Sequence, residues 1–412
     1  MNTDLAIVVA GYDRSGAMQR LLQSLSGARI REKVRLYISI DGGGNEDVKK
    51  ISEEFEWPFG EKELIFHDEN LGLRDHILKC GDLSEKHDGI ILLEDDLLVS
   101  ENFYQFALQS MEYFRDDDRV EGISLYSHPY NETSQFPFMP VEDGYDNFFF
   151  QYAPSWGQVW YRDKWKEFRQ WYDENKDIKT GDGIVMPKNI LLWPNSSWKK
   201  YYIHYIILKN RFFAYPRKSL TTIFSDEGTN IRIRETFLQA PLWHGKNTFG
   251  FSHFNDSVAV YDCFGEILPA RLKKLAPFLE DYDFEVDLYG MKPLERSKKR
   301  YALSGRSPAK ALMSFGREMK PHEENVVMRI PGNDIHLAEK DEFGKVPYMR
   351  KLLKVHHRKL LAYWYPLREY HFSGTRILST EKDPEKNVDA SFLTRKAVSV
   401  GKYARKYYFG KK

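Results

Sequence analysis

The predicted fold and the candidate site of this chain meet in the stretch GIILLEDD, residues 89–96. Its first part is a short, continuous apolar run, which is typical of a buried strand. Three acids, Glu94, Asp95 and Asp96, follow directly, and ligands bind outside the carboxyl ends of parallel strands. Because adjacent carboxylates repel one another, this pattern indicates either a site for Mg²⁺ or Mn²⁺ or an acidic helix start.

Strand and helix patterns alternate around this stretch. Apolar runs at residues 5–10, 34–40 and 63–67 predict further strands, and apolar residues at helical spacing predict a helix after each of them. Alternation of this kind is typical of an α/β fold in which helices cover both faces of a mostly parallel sheet. The carboxyl ends of these strands are therefore expected to lie along one edge of the sheet.

Polar and glycine-rich turns follow three of these strand ends. Arg14 follows the first run, Asp41 opens an Asp-Gly-Gly-Gly turn after the second, and Arg74 follows the third. Arg pairs well with a diphosphate, a strand-end Asp can accept the imide N–H of a uracil, and glycine permits close backbone approach. A nucleotide bound at this edge would explain why the three turns carry these residues.

These motifs resemble the GT-A superfamily of nucleotide-sugar glycosyltransferases, particularly bacterial family-2-like enzymes of surface-polysaccharide synthesis, and they are also similar to Golgi N-acetylglucosaminyltransferase I. The matching segments are VVAGYDRS (8–15), SIDGG (39–43), ILLEDDLLVSENF (91–103) and FFQYAPSWGQVWYRDKW (149–165). The resemblance covers about residues 4–250, and residues 198–202 and 215–230 are similar to the bacterial group. It implies a Rossmann-like α/β fold.

The resemblance also implies roles for single residues. Asp41 would contact the base, Glu94 and Asp95 would hold the ribose or donor sugar, and Asp96 would be the direct ligand of Mn²⁺ or Mg²⁺. The residues expected to bind the donor are Arg14, Asp41, Arg74, Glu94 and Asp95. The loop 225–230 would close over the donor. The implied activity is metal-dependent hexosyl or N-acetylhexosaminyl transfer with inversion at the anomeric carbon.

The matching motifs do not identify the general base of this chain. The Golgi enzyme has an acidic pair after a tryptophan in this region, whereas Lys199 and Lys200 follow Trp198 here. The candidates are Asp182, Asp226 and Glu227. Asp226 and Glu227 are preferred because they lie on the expected closing loop, although all three are also explained as surface acids. Asn230 stands where the bacterial relatives tend to have a histidine.

Aromatic residues are dense between residues 147 and 171. They are explained either as core or as a groove that stacks on sugar rings. His76 is interpreted as a helix-surface histidine or, alternatively, as a contact to the diphosphate.

Composition narrows the class of protein. The 412 residues carry 61 Lys or Arg and 60 Asp or Glu, which excludes a generally basic nucleic-acid protein. The two cysteines, Cys80 and Cys263, are too few for a disulfide framework or a four-thiolate zinc site, which favours a reducing compartment. With no targeting pattern at the start and no apolar run of about 18 residues, a soluble cytoplasmic protein is expected.

Three regions are expected: a transferase domain (1–250), an accessory region (251–345) and a basic, aromatic-rich C-terminal region (346–412). From Arg350 to Lys412 there are 16 Lys or Arg and 5 Asp or Glu. This segment is either an arm on the anionic inner face of a membrane or a solvated tail.

The expected partners are a nucleotide-diphosphate sugar and a glycan or lipid-linked acceptor, without nucleic acid. Two alternatives remain open: a sugar-nucleotidyltransferase, and a non-catalytic glycan- or membrane-binding protein on a decayed transferase fold.

Overall fold

The computed structural model describes residues 3–224 and 238–345. The strands are β1 (Leu5–Gly11), β2 (Leu36–Ile40), β3 (Lys62–Phe66), β4 (Gly89–Glu94), β5 (Leu97–Val99), β6 (Val120–Ser124), β7 (Tyr130–Asn131), β8 (Phe136–Pro137), β9 (Asn147–Phe150), β10 (Gln158–Tyr161), β11 (Phe212–Pro216), β12 (Thr221–Ile223), β13 (Val260–Tyr261), β14 (Phe284–Asp287), β15 (Tyr301–Ser304), β16 (Met313–Phe315) and β17 (Ile335–Glu339). The α-helices are α1 (Ser15–Ser26), α2 (Glu46–Glu54), α3 (Gly72–Asp82), α4 (Phe103–Tyr113), α5 (Arg162–Asn175), α6 (Lys188–Leu191), α7 (Trp198–Leu208), α8 (Pro269–Leu275) and α9 (His322–Val327). Short 3₁₀ helices cover Leu83–Lys86, Pro277–Leu279, Leu294–Arg296 and Lys340–Glu342.

A nine-stranded sheet lies at the centre, in the order β13-β9-β11-β6-β10-β4-β1-β2-β3. Strands β1 to β4 are mutually parallel, and β10 is antiparallel to both β4 and β6. Because β11 is parallel to β6, it runs in the same direction as β1, whereas β9 and β13 run in the opposite direction. The predicted α/β fold with a mostly parallel sheet flanked by helices is therefore confirmed.

Helices cover both faces of this sheet, as the apolar pattern of β1 requires. Leu5, Ile7 and Val9 belong to one hydrophobic cluster, and the alternate residues of the same strand belong to the other. The first cluster also holds the buried stripe of α1, which consists of Met18, Leu21, Leu22 and Leu25. This stripe is the apolar helix face that the sequence predicts.

Most of the aromatic residues between 147 and 171 form core. The Trp160 ring stacks on Trp165 with ring centroids 4.0 Å apart, and both residues are fully buried. Trp156 and Trp171 are only partly buried. The core interpretation therefore holds for most of this segment, with Trp156 and Trp171 as partly exposed exceptions.

The chain from residue 251 onward contributes to two sheets. Strand β13 is the outermost strand of the central sheet, next to β9. A separate four-stranded sheet follows, in the order β14-β15-β17-β16, and its apolar residues Val286, Leu303 and Leu337 join one of the central hydrophobic clusters. The predicted boundary at residue 250 stays a prediction. Within residues 3–224 and 238–345, no helix is both long and apolar enough to cross a membrane.

Candidate functional site

The carboxyl ends of β1, β2 and β4 converge. Ala10 on β1 lies opposite Glu94 on β4, and the N–H of Asp95 donates to the Ala10 carbonyl at 3.0 Å. The N–H of Asp41, just after β2, donates to the carbonyl of Gly11 at 3.0 Å. The turns predicted to carry the chemistry therefore meet at one edge of the sheet, as the parallel topology requires.

Arg14 holds two of the three acids at this edge. It is the residue before α1, and its guanidinium donates to Asp95 Oδ1 and, at 3.0 Å, to Asp96 Oδ2. Asp95 is 3% exposed, whereas the side chain of Asp96 is 28% exposed. Burial by itself would lower the pKa of Arg14. The charges of Asp96 and Asp95 together raise this pKa by more than burial lowers it, so the net shift is upward. We call Arg14, Glu94, Asp95 and Asp96 the acid edge.

The acid edge carries more negative charge than its arginine balances. The Glu94 carboxylate has no hydrogen bond or ion pair within the described part of the chain. Burial, followed by the charges of Asp96 and Asp95, raises the pKa of Glu94 to about 8. Burial also raises the pKa of Asp95 to about 6, although Arg14 opposes the shift. Burial of the carboxylates, together with their mutual repulsion around one cation, causes these shifts.

The acid edge fits a hard divalent cation. No group of three or more His, Cys, Asp or Glu is placed to hold a metal ion in the ranges that the structure describes. Mg²⁺, however, is usually bound by one or two carboxylates together with water and substrate phosphates. Asp96 is partly exposed, and only its Oδ2 atom is engaged by Arg14. Carboxylate oxygens with uncompensated charge are the ligands that Mg²⁺ and Mn²⁺ prefer.

Asp41 organises the neighbouring turn. Its carboxylate is 4% exposed and accepts the N–H of Leu71 at 2.8 Å and the N–H of Gly72 at 3.0 Å. It therefore fixes the start of α3 relative to β2. Its predicted contact with a base stays a prediction. Arg74, two residues beyond Gly72, donates instead to Asp75 at 2.9 Å and to the Asn195 carbonyl at 3.1 Å, so no hydrogen bond joins it to the acids of the edge.

His76 differs from its preferred interpretation. It is 4% exposed rather than on the helix surface, and its Nε2 atom lies 2.8 Å from Ser39 Oγ. Burial lowers its pKa to about 4, so the imidazole is neutral. The charge of Asp41 opposes this shift.

Of the three candidate bases, only Asp182 lies within the described residues. Asp226, Glu227 and Asn230, together with the rest of the loop 225–230, lie outside the described residues, as does the basic region 346–412. The chain reaches this loop from the acid edge, since the N–H of Phe224 donates to the Asp96 carbonyl at 2.9 Å. Asp182 lies on an exposed turn, where its charge acts on His204 of α7.

The structure adds residues that the motifs did not single out. Lys199, in the first turn of α7, is buried, and the charge of Glu94 opposes the lowering of its pKa by burial. Its Nζ atom lies 4.0 Å from Glu132 Oε1. The departure from an acidic pair at residues 199–200 pointed to this position, but nothing in the local sequence indicated that Glu132 would meet it.

No protein-family model matches this sequence, and no curated protein matches it. Among solved structures, the chain is similar to a mannosyltransferase from Pyrobaculum calidifontis in complex with GDP-Man and Mn²⁺, at 11% identity and a TM-score of 0.28, covering 40% of this chain and 46% of that one. It is also similar to S. aureus TarS, at 12% identity and a TM-score of 0.33, covering 54% and 61% of the two chains. Mouse xyloside xylosyltransferase 1 is similar at 12% identity and a TM-score of 0.33, covering 51% and 84%. The chain thus spans about half to three fifths of the first two structures.

Proposed function

We propose that this protein is a metal-dependent glycosyltransferase that moves a hexosyl or N-acetylhexosaminyl group from a nucleotide diphosphate to a glycan or lipid-linked acceptor, with inversion. The observation that carries the proposal is the acid edge. Three carboxylates and one arginine lie at the converging ends of β1 and β4, and Glu94 has no partner there among the described residues. A divalent cation that also binds a phosphate group would compensate the negative charge of such a site.

The residues of the edge suit a nucleotide-diphosphate sugar. A guanidinium has more N–H donors than its two bonds to Asp95 and Asp96 use, so Arg14 can also donate to a diphosphate. Glu94 and Asp95 can accept hydroxyl groups of the ribose or the sugar. Asp96 would hold the divalent cation, which when bound stabilises the charge of the leaving diphosphate. Asp41 and its turn border the position of the base.

The reaction we propose is a single displacement. The acceptor hydroxyl attacks the anomeric carbon on the face opposite the diphosphate, which inverts that centre, and a carboxylate takes the hydroxyl proton. Asp226 and Glu227 are candidates for that carboxylate from outside the described residues. The resemblance to bacterial enzymes and the basic C-terminal region support a role in surface-polysaccharide synthesis at the cytoplasmic face of the membrane.

A donor panel tests the proposal. The full chain is incubated with UDP-, GDP-, CDP- and dTDP-sugars, with Mn²⁺ or with EDTA, and release of the nucleoside diphosphate is measured. We expect release from one nucleotide class only, and only with Mn²⁺. Pyrophosphate release from a nucleoside triphosphate and a sugar phosphate would instead show a nucleotidyltransferase. Absence of both turnover and nucleotide binding would contradict the proposal and leave a non-catalytic binding protein.

A further inference from the structure

Next to the acid edge, aromatic rings surround the ammonium group of Lys199. Its Nζ atom lies 4.4 Å from the ring centroid of Tyr152 and 5.4 Å from those of Trp156 and Trp193. These separations are within the range of cation–π attraction. We call Glu132, Tyr152, Trp156, Trp193 and Lys199 the ring-walled hollow.

The hollow contains an anchored carboxylate. Glu132 Oε1 accepts the phenol O–H of Tyr152 at 3.1 Å and lies 4.0 Å from Lys199 Nζ. Burial raises the pKa of Tyr152 well above its usual value, so the phenol remains a hydrogen-bond donor. The side chain of Glu132 is nevertheless 26% exposed. It is held in place from one side and open to an incoming group.

The hollow borders the acid edge. Strand β10 is antiparallel to β4 with Gln158 opposite Leu92, and this register brings the preceding Trp156 toward the end of β4, where Glu94 lies. The charges of Glu132 and Glu94 both act on Lys199. The hollow therefore lies close to the acid edge, and a molecule in the hollow would be a neighbour of a donor bound there.

A small cavity beside the hollow contains an unpartnered polar atom. His128 is 3% exposed, and its Nε2 atom has no hydrogen-bond partner among the residues described. Together with Glu132, Thr133 and Tyr152, it lines a small cavity. Burial, followed by the charge of Lys199, lowers the pKa of His128 well below its usual value, so the imidazole is neutral. A buried polar atom of this kind in so small a cavity calls for a water molecule, which would lie next to Glu132.

We propose that the ring-walled hollow is the subsite for the acceptor sugar and that Glu132, rather than Asp226 or Glu227, is the general base of the transfer. The partly exposed rings of Trp156 and Trp193 offer apolar surface to a pyranose, and the partly exposed carboxylate of Glu132 can accept one of its hydroxyls. This inference rests on the proposed function. Lys199 and Tyr152 are positioning residues, because they act on the sugar through Glu132.

The chemical step balances without a further reactant. The acceptor O–H bond breaks and its proton passes to the Glu132 carboxylate. The acceptor oxygen forms a bond to the anomeric carbon of the donor. The bond from that carbon to the diphosphate oxygen breaks, and its electron pair leaves with the nucleoside diphosphate.

The test compares Glu132→Gln with Glu142→Gln, a control whose side chain is 82% exposed. Diphosphate release from the donor found in the panel is measured with Mn²⁺, with and without p-nitrophenyl pyranosides as acceptor probes. We expect a pyranoside to stimulate release by the wild type and by Glu142→Gln. In Glu132→Gln, transfer should fall about 100-fold while nucleoside-diphosphate binding, followed by thermal shift, is retained. Glu132→Asp should restore part of the rate.

Two further measurements separate catalysis from structure. The rise of kcat/KM with pH should be lost in Glu132→Gln, which a merely structural role would not cause. Trp156→Ala should raise the acceptor KM about tenfold and leave the donor KM unchanged.

Three results would overturn the proposal. They are wild-type transfer by Glu132→Gln, loss of nucleotide binding in that variant, and failure of every pyranoside to stimulate the wild type. If the wild type itself neither binds nor cleaves any donor, the proposed function fails first and the acceptor subsite falls with it.

Discussion

The acid edge and the C-terminal part of the chain both bring several carboxylates together, but they differ in how the negative charge is compensated. In the C-terminal part, Lys292 pairs with Asp262 and, at 2.5 Å, with Glu285, and Arg306 pairs with Asp287 at 3.0 Å. We call these residues the C-terminal charge network. At the acid edge, Arg14 pairs with Asp95 and Asp96, while Glu94 has no partner among the described residues.

Two other buried acids of the C-terminal part lose their charge by binding a proton. Glu266 and Glu323 are 1% and 2% exposed, and each has one carboxyl oxygen without a hydrogen-bond partner in the described ranges. Burial raises the pKa of Glu323 to about 7 and that of Glu266 well above its usual value. The C-terminal acids are thus either paired with cations or enclosed in the core. Glu94 has no cation of its own among the described residues and, like Asp96, is partly exposed, so a divalent cation can reach it.

The largest expected effect comes from breaking the C-terminal charge network. Lys292→Met leaves Asp262 and Glu285 without their cation and should lower the free energy of unfolding by about 3–5 kcal/mol. Urea denaturation measures the loss. Nucleoside-diphosphate affinity of the folded fraction should be unchanged, and a loss of affinity equal to that of an acid-edge variant would erase the contrast between the two regions.

Removing the cation of the acid edge should cost less stability and also affect binding. Arg14→Ala leaves the buried carboxylate of Asp95 unpaired and should lower the free energy of unfolding by about 3 kcal/mol. Mn²⁺ should restore part of this loss in Arg14→Ala. The control is Arg35→Ala, because Arg35 pairs with Glu63 at the surface and its removal should cost less than about 1 kcal/mol. No response of Arg14→Ala to Mn²⁺ would count against a cation site.

The proton on Glu323 gives a pH dependence with a defined sign. Because its pKa in the folded protein is raised to about 7 from 4.5, its contribution to stability is complete below about pH 4.5 and is lost as the pH rises through 7. Relative to Glu323→Gln, the wild type should lose about 2 kcal/mol of stability between about pH 5 and 7.5. Chemical denaturation at several pH values measures the difference. Parallel pH profiles of the two proteins would show that Glu323 is already ionised.

The smallest expected effect is a gain in stability. Glu94→Gln removes one of three mutually repelling carboxylates, so the ligand-free protein should become more stable by about 1 kcal/mol at about pH 8. Thermal melts in EDTA measure this gain. With Mn²⁺ and the nucleoside diphosphate present, the order of stability should reverse. A destabilised Glu94→Gln in EDTA would mean that the carboxylate has a structural partner.

Sequence patterns that act locally predicted the first half of the central sheet well. The apolar runs before residue 95 gave strands within about two residues of their bounds, because strand periodicity and glycine-rich turns are local properties. Parallel topology then placed Arg14, Asp41 and Glu94 at one edge. The other half was not foreseen, since β9, β10, β11 and β13 are short and mostly apolar, a pattern that does not distinguish a strand from a buried helix.

The neighbourhood of the acid edge depends on contacts between distant segments. Glu132 lies 67 residues before Lys199 in the sequence, and only the packing of α7 against the sheet brings them together. The expectation for His76 was wrong for a related reason, since His76 lies on α3 and its partner Ser39 lies on β2. A single sequence shows residue types and spacing, but not which side chains of separate elements share one pocket.

The central claim is that the excess charge of the acid edge is a binding site for a divalent cation and a nucleoside diphosphate. The most direct test is calorimetric titration of UDP, GDP, CDP and dTDP into the full chain, with Mn²⁺ and with EDTA, for the wild type, Asp96→Asn and the exposed control Asp116→Asn. We predict that one diphosphate binds the wild type and the control only with Mn²⁺, and that Asp96→Asn weakens this binding at least about tenfold, or about 1.4 kcal/mol. Binding that ignores both Mn²⁺ and Asp96, or no binding of any diphosphate, would contradict the account.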